Sequence, residues 1–305
     1  MKRNTNDSRQ GWTLSELLVT LGILAIIGLI SLPAILSRRE SSRRTACSDR
    51  LAQLAKAAVD FESLKSRIPS VNWYQEIMSY TESPHYNKFV ANRELPDTYF
   101  EILICPSDTG PFMSDLDLYS NYLGTAGVWA PQPELVGPVV RLANDSDRGV
   151  RWDDITDGLE TTALFSEVLR AGRGRLRTIW SLPEQPYAAD QIDEFVEAAD
   201  RLPPDPLNQN FVGHARTKGL VIGFSGFNGG TVFYSSGLTR STYNHAAPPQ
   251  RPSCHNGTRI PESSVPASSD HKVVNVAFCD GHVESFTRDV NIGVWRSFAS
   301  RTADD

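Results

Sequence analysis

From residue 17 to residue 37 the chain carries no ionisable side chain, and the run LLVTLGILAIIGLISLPAILS is overwhelmingly aliphatic. At about 1.5 Å per residue a helix of that length covers about 30 Å, the hydrocarbon thickness of a bilayer. The first eleven residues of the chain, MKRNTNDSRQG, are polar and basic and end in Gly11. A secretory signal peptide would have a shorter apolar stretch, with its small-residue cleavage site after that stretch. Here the candidate site lies before it, so a processed chain would keep the helix. One carboxylate, Glu16, stands at the head of the run, where a charge is costly unless it is paired.

The helical pattern continues past the uncharged run. Cys47, Leu51, Leu54, Ala58 and Phe61 fall at i, i+4, i+7, i+11 and i+14, a single apolar stripe at helical period. Pro69 stops the pattern. The expected organisation is a leader at 1–11, a transmembrane helix at 12–37, an amphipathic continuation at 38–66 and a globular head at 67–305. Within the head, short apolar runs recur between turn signals at 99–105, 139–142, 163–168, 220–224, 231–234 and 273–279. The last of these and residues 282–286 flank Asp280-Gly281, a two-residue hairpin signal. A short helix is expected at 290–298. Residues 182–210 are acidic and proline-bearing, and read as an insertion or surface loop.

The formal net charge is −6, and loss of the leader, which carries a net +2, would bring it near −8. That balance argues against nucleic acid as a partner, because phosphate binding needs a clustered basic surface. The basic cluster Arg38, Arg39, Arg43 and Arg44 reads as a headgroup-level stop for the helix. Four cysteines in a chain whose body is expected outside the cytoplasm favour disulfides and allow three pairings. The expectation is Cys47–Cys105, stapling head to spine, with Cys254–Cys279 tying the last long loop to the hairpin. Zinc is a competing reading for Cys254, His255, Cys279 and His282. Calcium is one for Asp145, Asp147, Asp153 and Asp154. Catalysis finds no support. Gly223-Phe224-Ser225-Gly226-Phe227 lacks the second glycine spacing of a nucleophile elbow, and the glycines at 223–230 fit neither the dinucleotide nor the phosphate-loop pattern. No enzyme and no cofactor are expected.

The segment WTLSELLVTLGILAIIGLISLPAIL resembles the type IV prepilin signature. Gly11 matches its cleavage glycine, Trp12 the methylated first residue, Glu16 the assembly glutamate and Pro33 the helix-kinking proline. The resemblance implies processing by prepilin peptidase and packing against other pilin-like subunits. Glu16 would there neutralise the terminal amine of the next subunit. It also implies a single pass through the cytoplasmic membrane, in contact with lipid, with the N-terminus inside and the head in the periplasm. A plain count of Lys and Arg points the other way, since the side after the helix is the more basic; the processing motif is the more specific signal.

Further stretches resemble the domain-of-unknown-function 1559 family, whose members join a prepilin N-terminus to a C-terminal H-x9-DG motif. They are Arg43-Arg44-Thr45-Ala46-Cys47, Cys105-Pro106-Ser107-Asp108, Asn121-Tyr122-Leu123-Gly124, Ile155-Thr156-Asp157-Gly158 with Thr161, Thr162 and Glu167, and Asn275 to Val283 around Asp280-Gly281. The motif histidine belongs at position 270; Asp270 stands there, and His271 is one residue late. The fold expected is α+β: a pilin-like long N-terminal helix, transmembrane then amphipathic, bearing a β-rich antiparallel head. The function expected is that of a pseudopilin-like structural subunit of a type II secretion or pilus-like assembly. The other reading is a membrane-tethered extracytoplasmic binding protein.

Overall fold

The computed structural model describes residues 13–70, 73–81, 101–108, 120–129, 137–139, 149–170, 179–182, 187–201, 242–255 and 263–302. The expected strands at 220–224 and 231–234, Gly11, Trp12, Asp145 and Asp147 lie outside them. The chain divides into two units, Met1–Arg44 and Thr45–Asp305. A single helix, α1 (Leu14–Lys65), contributes to both. It is continuous through position 33, where side chains lie outside the described residues.

In the first unit, α1 begins with a capping box between Thr13 and Glu16. The Thr13 amide and hydroxyl donate to Glu16 Oε2 at 2.9 and 2.8 Å, and the Glu16 amide donates to Thr13 Oγ1 at 3.3 Å. Thr-x-x-Glu satisfies orphan donors of the first turn reciprocally. Beyond it, every large aliphatic side chain from Leu14 to Ile30 is more than half exposed, from 51% at Leu17 to 76% at Leu14 and Leu29. Among the described residues no helix is long and apolar enough to cross a membrane. The physical reason is length. Residues 14–30 cover about 25 Å as a helix, against about 30 Å of hydrocarbon, and the side chains at 31–37 that would complete the expected span lie outside the described residues.

In the second unit the apolar stripe behaves as its spacing predicts. Cys47, Leu51, Leu54, Ala58 and Phe61 are all buried, and Ala55 and Ala57 join them. The helix ends at Lys65, with Ser66 in the left-handed region at φ 53° and Pro69 just beyond. A short helix, α2 (Trp73–Ile77), follows.

The main sheet has five strands. These are β1 (Tyr122–Thr125), β2 (Ala163–Glu167), β4 (Thr242–Tyr243), β7 (Val273–Phe278) and β8 (Val283–Thr287), in the order β4-β1-β2-β7-β8. Both of its faces are covered, and residues alternate between two cores except at the irregularity in β2, where Leu164 and Phe165 join the same one. Tyr122, Phe165 and Ala277 join the core that contains the α1 stripe. Leu123, Val274, Val276 and Phe278 join a second core closed by Trp295 from α4 (Ile292–Ser297). Burial on both faces explains why Ala163, Leu164 and Phe165 on β2 and Val276, Ala277 and Phe278 on β7 are consecutive apolar residues rather than alternating ones. A smaller sheet, β3-β5-β6, comprises β3 (Ile179–Ser181), β5 (Ser253–His255) and β6 (Ser263–Ser264).

Four expectations are corrected. The head is α+β, but its sheets are mixed rather than antiparallel: β1 runs parallel to β4, and β3 parallel to β5. The apolar run ending at Cys105 is not a strand where it is described; Glu101–Leu103 forms a 3-10 turn. The acidic segment 182–210 is not wholly a loop. It contains α3 (Ile192–Asp200), because Ile192, Phe195 and Val196 share one helical face. Phe195 is buried, with its ring 5.3 Å from Trp129 and 5.0 Å from Tyr187. The hairpin loop has three residues rather than two. The Gly281 amide donates to the Phe278 carbonyl, the Phe278 amide donates to the His282 carbonyl, and Gly281 sits at φ 95°. That is a turn closed by a glycine bulge.

Candidate functional site

Several motif residues, widely separated in sequence, converge around one covalent bond. Cys47 on α1 is disulfide-bonded to Cys105 across 58 positions, with the Cα atoms 4.9 Å apart. The staple expected between spine and head is present. Closing a loop of that size stabilises a fold by about 4 kcal/mol in the chain-entropy account.

On one side of the disulfide lies a buried polar network. The Cys105 amide donates to Asn121 Oδ1 at 2.9 Å, which fixes the Asn121 amide group. Asn121 Nδ2 then donates to Asp108 Oδ2 and to the Val168 carbonyl. Asp108 Oδ2 also accepts from the Arg170 amide and from Arg170 Nε, each at 3.2 Å, while an Arg170 terminal nitrogen donates to the Asp108 carbonyl at 3.0 Å. Both charged side chains are almost wholly out of water. A buried pair of this kind adds little net stability over an apolar substitute, but removal of one partner strands the other charge. Asp108 and Asn121 belong to motifs read in the sequence. Arg170 lies three residues beyond Glu167, and no local pattern marks it.

On another side lie Glu167 and His271, both buried. Glu167 Oε2 accepts from the Asn275 amide and Oε1 from Asn275 Nδ2, both at 3.0 Å, so the carboxylate is held at both oxygens. Asn275 is held in turn by Ser285, whose hydroxyl donates to its Oδ1 at 2.6 Å. Glu167 stands opposite Tyr122 in the β1–β2 register, and the Tyr122 hydroxyl donates to the Cys47 carbonyl at 3.1 Å. Burial, with the Glu167 charge beside it, pushes the Tyr122 phenol well above its usual range. One ligand-type atom from each of Cys47, Cys105, Glu167 and His271 lies within 4.8 Å of the other three.

The remaining candidates are elsewhere. Cys254 and Cys279 are free thiols, so the second expected disulfide is not formed. Cys254 is on β5 in the smaller sheet's core, whereas Cys279 follows β7 in the core of the spine. Burial pushes the Cys254 thiol up to about 12 and raises Cys279 well above its ordinary value. Of the zinc set, Cys254, Cys279 and His282 are not gathered into a ligand group among the described residues, and the His255 side chain lies outside them. Asp280 and Gly281 make the hairpin turn, with Asp280 Oδ1 accepting from the His282 amide at 3.0 Å and lying 2.6 Å from its Nδ1. Asp154 accepts from the Arg151 amide at 2.8 Å, which ties it to a 3-10 turn with Asp153. The two Asp-Gly turns meet, since the Asp280 amide donates to the Leu159 carbonyl.

The family described as protein of unknown function (DUF1559) matches residues 72–293, and the chain belongs to it. No curated protein and no solved structure matches the chain. The matched region contains Cys105, Asp108, Asn121, Glu167, Arg170, His271 and Asn275, so the network around the disulfide is built largely from the family region, with Cys47 supplied by the helix before it.

Proposed function

We propose that this chain is a pilin-like structural subunit, cut after Gly11 by prepilin peptidase, methylated at Trp12 and held in the cytoplasmic membrane with its head outside. It joins other such subunits through the first half of α1, in a type II secretion or pilus-like assembly. The observation that carries this reading is the uncovered apolar helix. Eleven large aliphatic side chains between Leu14 and Ile30 are exposed, and apolar surface on that scale marks a membrane or protein contact. The disulfide supports a head outside the cytoplasm, where such bonds persist. The head, expected at 67–305, is larger than a minimal pilin head and is tied to the helix by a disulfide, which suits a minor or tip subunit.

One observation favours the second reading, in which the helix only tethers a binding domain. Glu16 already has a local role in the capping box with Thr13, so its presence does not require a neighbouring subunit. Two substitutions separate the readings. Glu16→Gln keeps the box, since glutamine serves at that position, but removes the charge. Under the assembly reading E16Q stays in the membrane and loses cross-links to neighbouring subunits. Under the tether reading no subunit cross-links depend on the Glu16 charge, and E16Q behaves like the parent chain, while Thr13→Ala loosens only the first turn of α1. The mass of the mature N-terminal peptide tests processing: a start at methylated Trp12 is expected, and an intact Met1 start overturns it.

A further inference from the structure

We propose that in its dithiol form the head binds one thiophilic divalent cation of the zinc class through Cys47, Cys105, Glu167 and His271. This site is independent of the assembly role and stands on three observations. The first is composition: two sulfurs, one imidazole and one carboxylate are a full tetrahedral set for zinc. The second is placement. The four ligand atoms lie within 4.8 Å of one another, in a fully buried position. A tetrahedral zinc site sets its ligand atoms about 3.3 to 3.8 Å apart, so cleavage of the S–S bond and small side-chain shifts suffice. The third is the outer shell. Asn275 holds both Glu167 oxygens, and Ser285 holds Asn275; supports of this kind orient metal-binding carboxylates.

The free cysteines do not offer this. Cys254 and Cys279 sit in separate cores, and no group of ligand-type side chains gathers round either among the described residues. The site is also exclusive of the disulfide. A metal takes thiolates, and a disulfide sulfur has none to give. Reduction by a phosphine adds two electrons across the S–S bond and yields two thiols, the phosphine taking an oxygen from water. On cation binding each thiol releases its proton to solvent. The two thiolates and the Glu167 carboxylate then outweigh the cation by one negative charge, in a pocket where the two Asn275 N–H groups point at the carboxylate. The same pair of cysteines thus closes the head in one of two ways, by a covalent bond or by a metal.

The test uses the full chain in detergent micelles, reduced by a water-soluble phosphine under nitrogen, with cobalt(II) as the spectroscopic probe. One cobalt per chain is expected, with thiolate-to-metal charge transfer and tetrahedral ligand-field bands, displaced by zinc. The oxidised chain gives no band. Glu167→Gln and His271→Asn each weaken binding by about tenfold or more, while a Cys254→Ser/Cys279→Ser chain keeps the full signal. The proposal is overturned by absence of the band, by its survival in both E167Q and H271N, or by its loss in the Cys254/Cys279 variant. Near-UV circular dichroism covers the case in which reduction loosens the head: zinc must then restore the tertiary signal, and a reduced chain that stays unfolded with zinc sinks the idea.

Discussion

The two ends of α1 share a backbone and almost nothing else. From Leu17 to Ile30 the helix has no charged side chain and is aliphatic on nearly every side, and its large aliphatic side chains are exposed. From Cys47 to Phe61 it is apolar on one stripe, and that stripe is buried. A helix that is hydrophobic on every side must find its cover outside its own fold, whereas an amphipathic one finds it inside. Under the proposed function the first half is left for contacts with other molecules, whereas the second half stabilises the head. Polar machinery divides in the same way. The first half has one capping box at its tip, while the second half is tied in by a disulfide and carries a buried ion pair beside it.

Substitutions that break the contrast should rank accordingly. The largest effect is expected at the buried pair. Arg170→Met leaves the Asp108 carboxylate buried without the guanidinium, and should cost about 3 to 5 kcal/mol in denaturant unfolding of the head. A loss below about 1 kcal/mol would show that water reaches the network. Next, Cys47→Ser should cost about 4 kcal/mol in metal-free buffer, through release of the 58-residue loop.

A matched pair of truncations then tests the helix directly. Leu54→Ala on the buried stripe should lower head stability by about 2 to 5 kcal/mol. Leu24→Ala, at a side chain that is 64% exposed, should change it by less than about 0.5 kcal/mol. Equal effects would mean that the first half is covered by the chain itself.

Acid sharpens the contrast further. Burial lowers the His245 pKa to about 4, against an ordinary 6.5. Its ring stacks on Trp295 at 4.1 Å, and its Nε2 lies 3.0 Å from the Tyr243 hydroxyl. The native state keeps this imidazole neutral while the unfolded chain takes up a proton, so stability falls as pH drops from about 6.5 to about 4. The fall should be about 3 kcal/mol from this residue. His245→Gln should flatten that part of the pH profile of unfolding. The smallest effect belongs to the tip of α1, where Thr13→Ala should cost about 1 kcal/mol of local helix stability, read by amide exchange of the first turn.

Much of the architecture is legible in the order of residues. The stripe from Cys47 to Phe61, the stop near Pro69, the strands around Phe165 and Val276 and the closing helix all follow from periodicity and turn chemistry, which are local. The misreadings are also local in kind. The acidic composition of 182–210 hides the apolar face of α3, and Asp280-Gly281 signals a hairpin without specifying that its loop takes three residues. Strand direction escapes altogether, because parallel pairing of β1 with β4 brings together residues more than a hundred positions apart.

The sequence by itself determined an uncharged helix-length run, the amphipathic spine after it, an even set of cysteines and the family motifs. These depend on the order of residues along the chain, and local physics reads them. The Cys47–Cys105 bridge is expected from the sequence and is present, but tertiary structure alone decided that Cys254 and Cys279 stay as thiols, because pairing depends on which distant positions the fold brings together. It alone placed Asp108, Asn121, Glu167, Arg170, His271 and Asn275 around one disulfide. A carboxylate or a guanidinium carries no mark in the sequence that says it will be buried; that is settled by what folds over it.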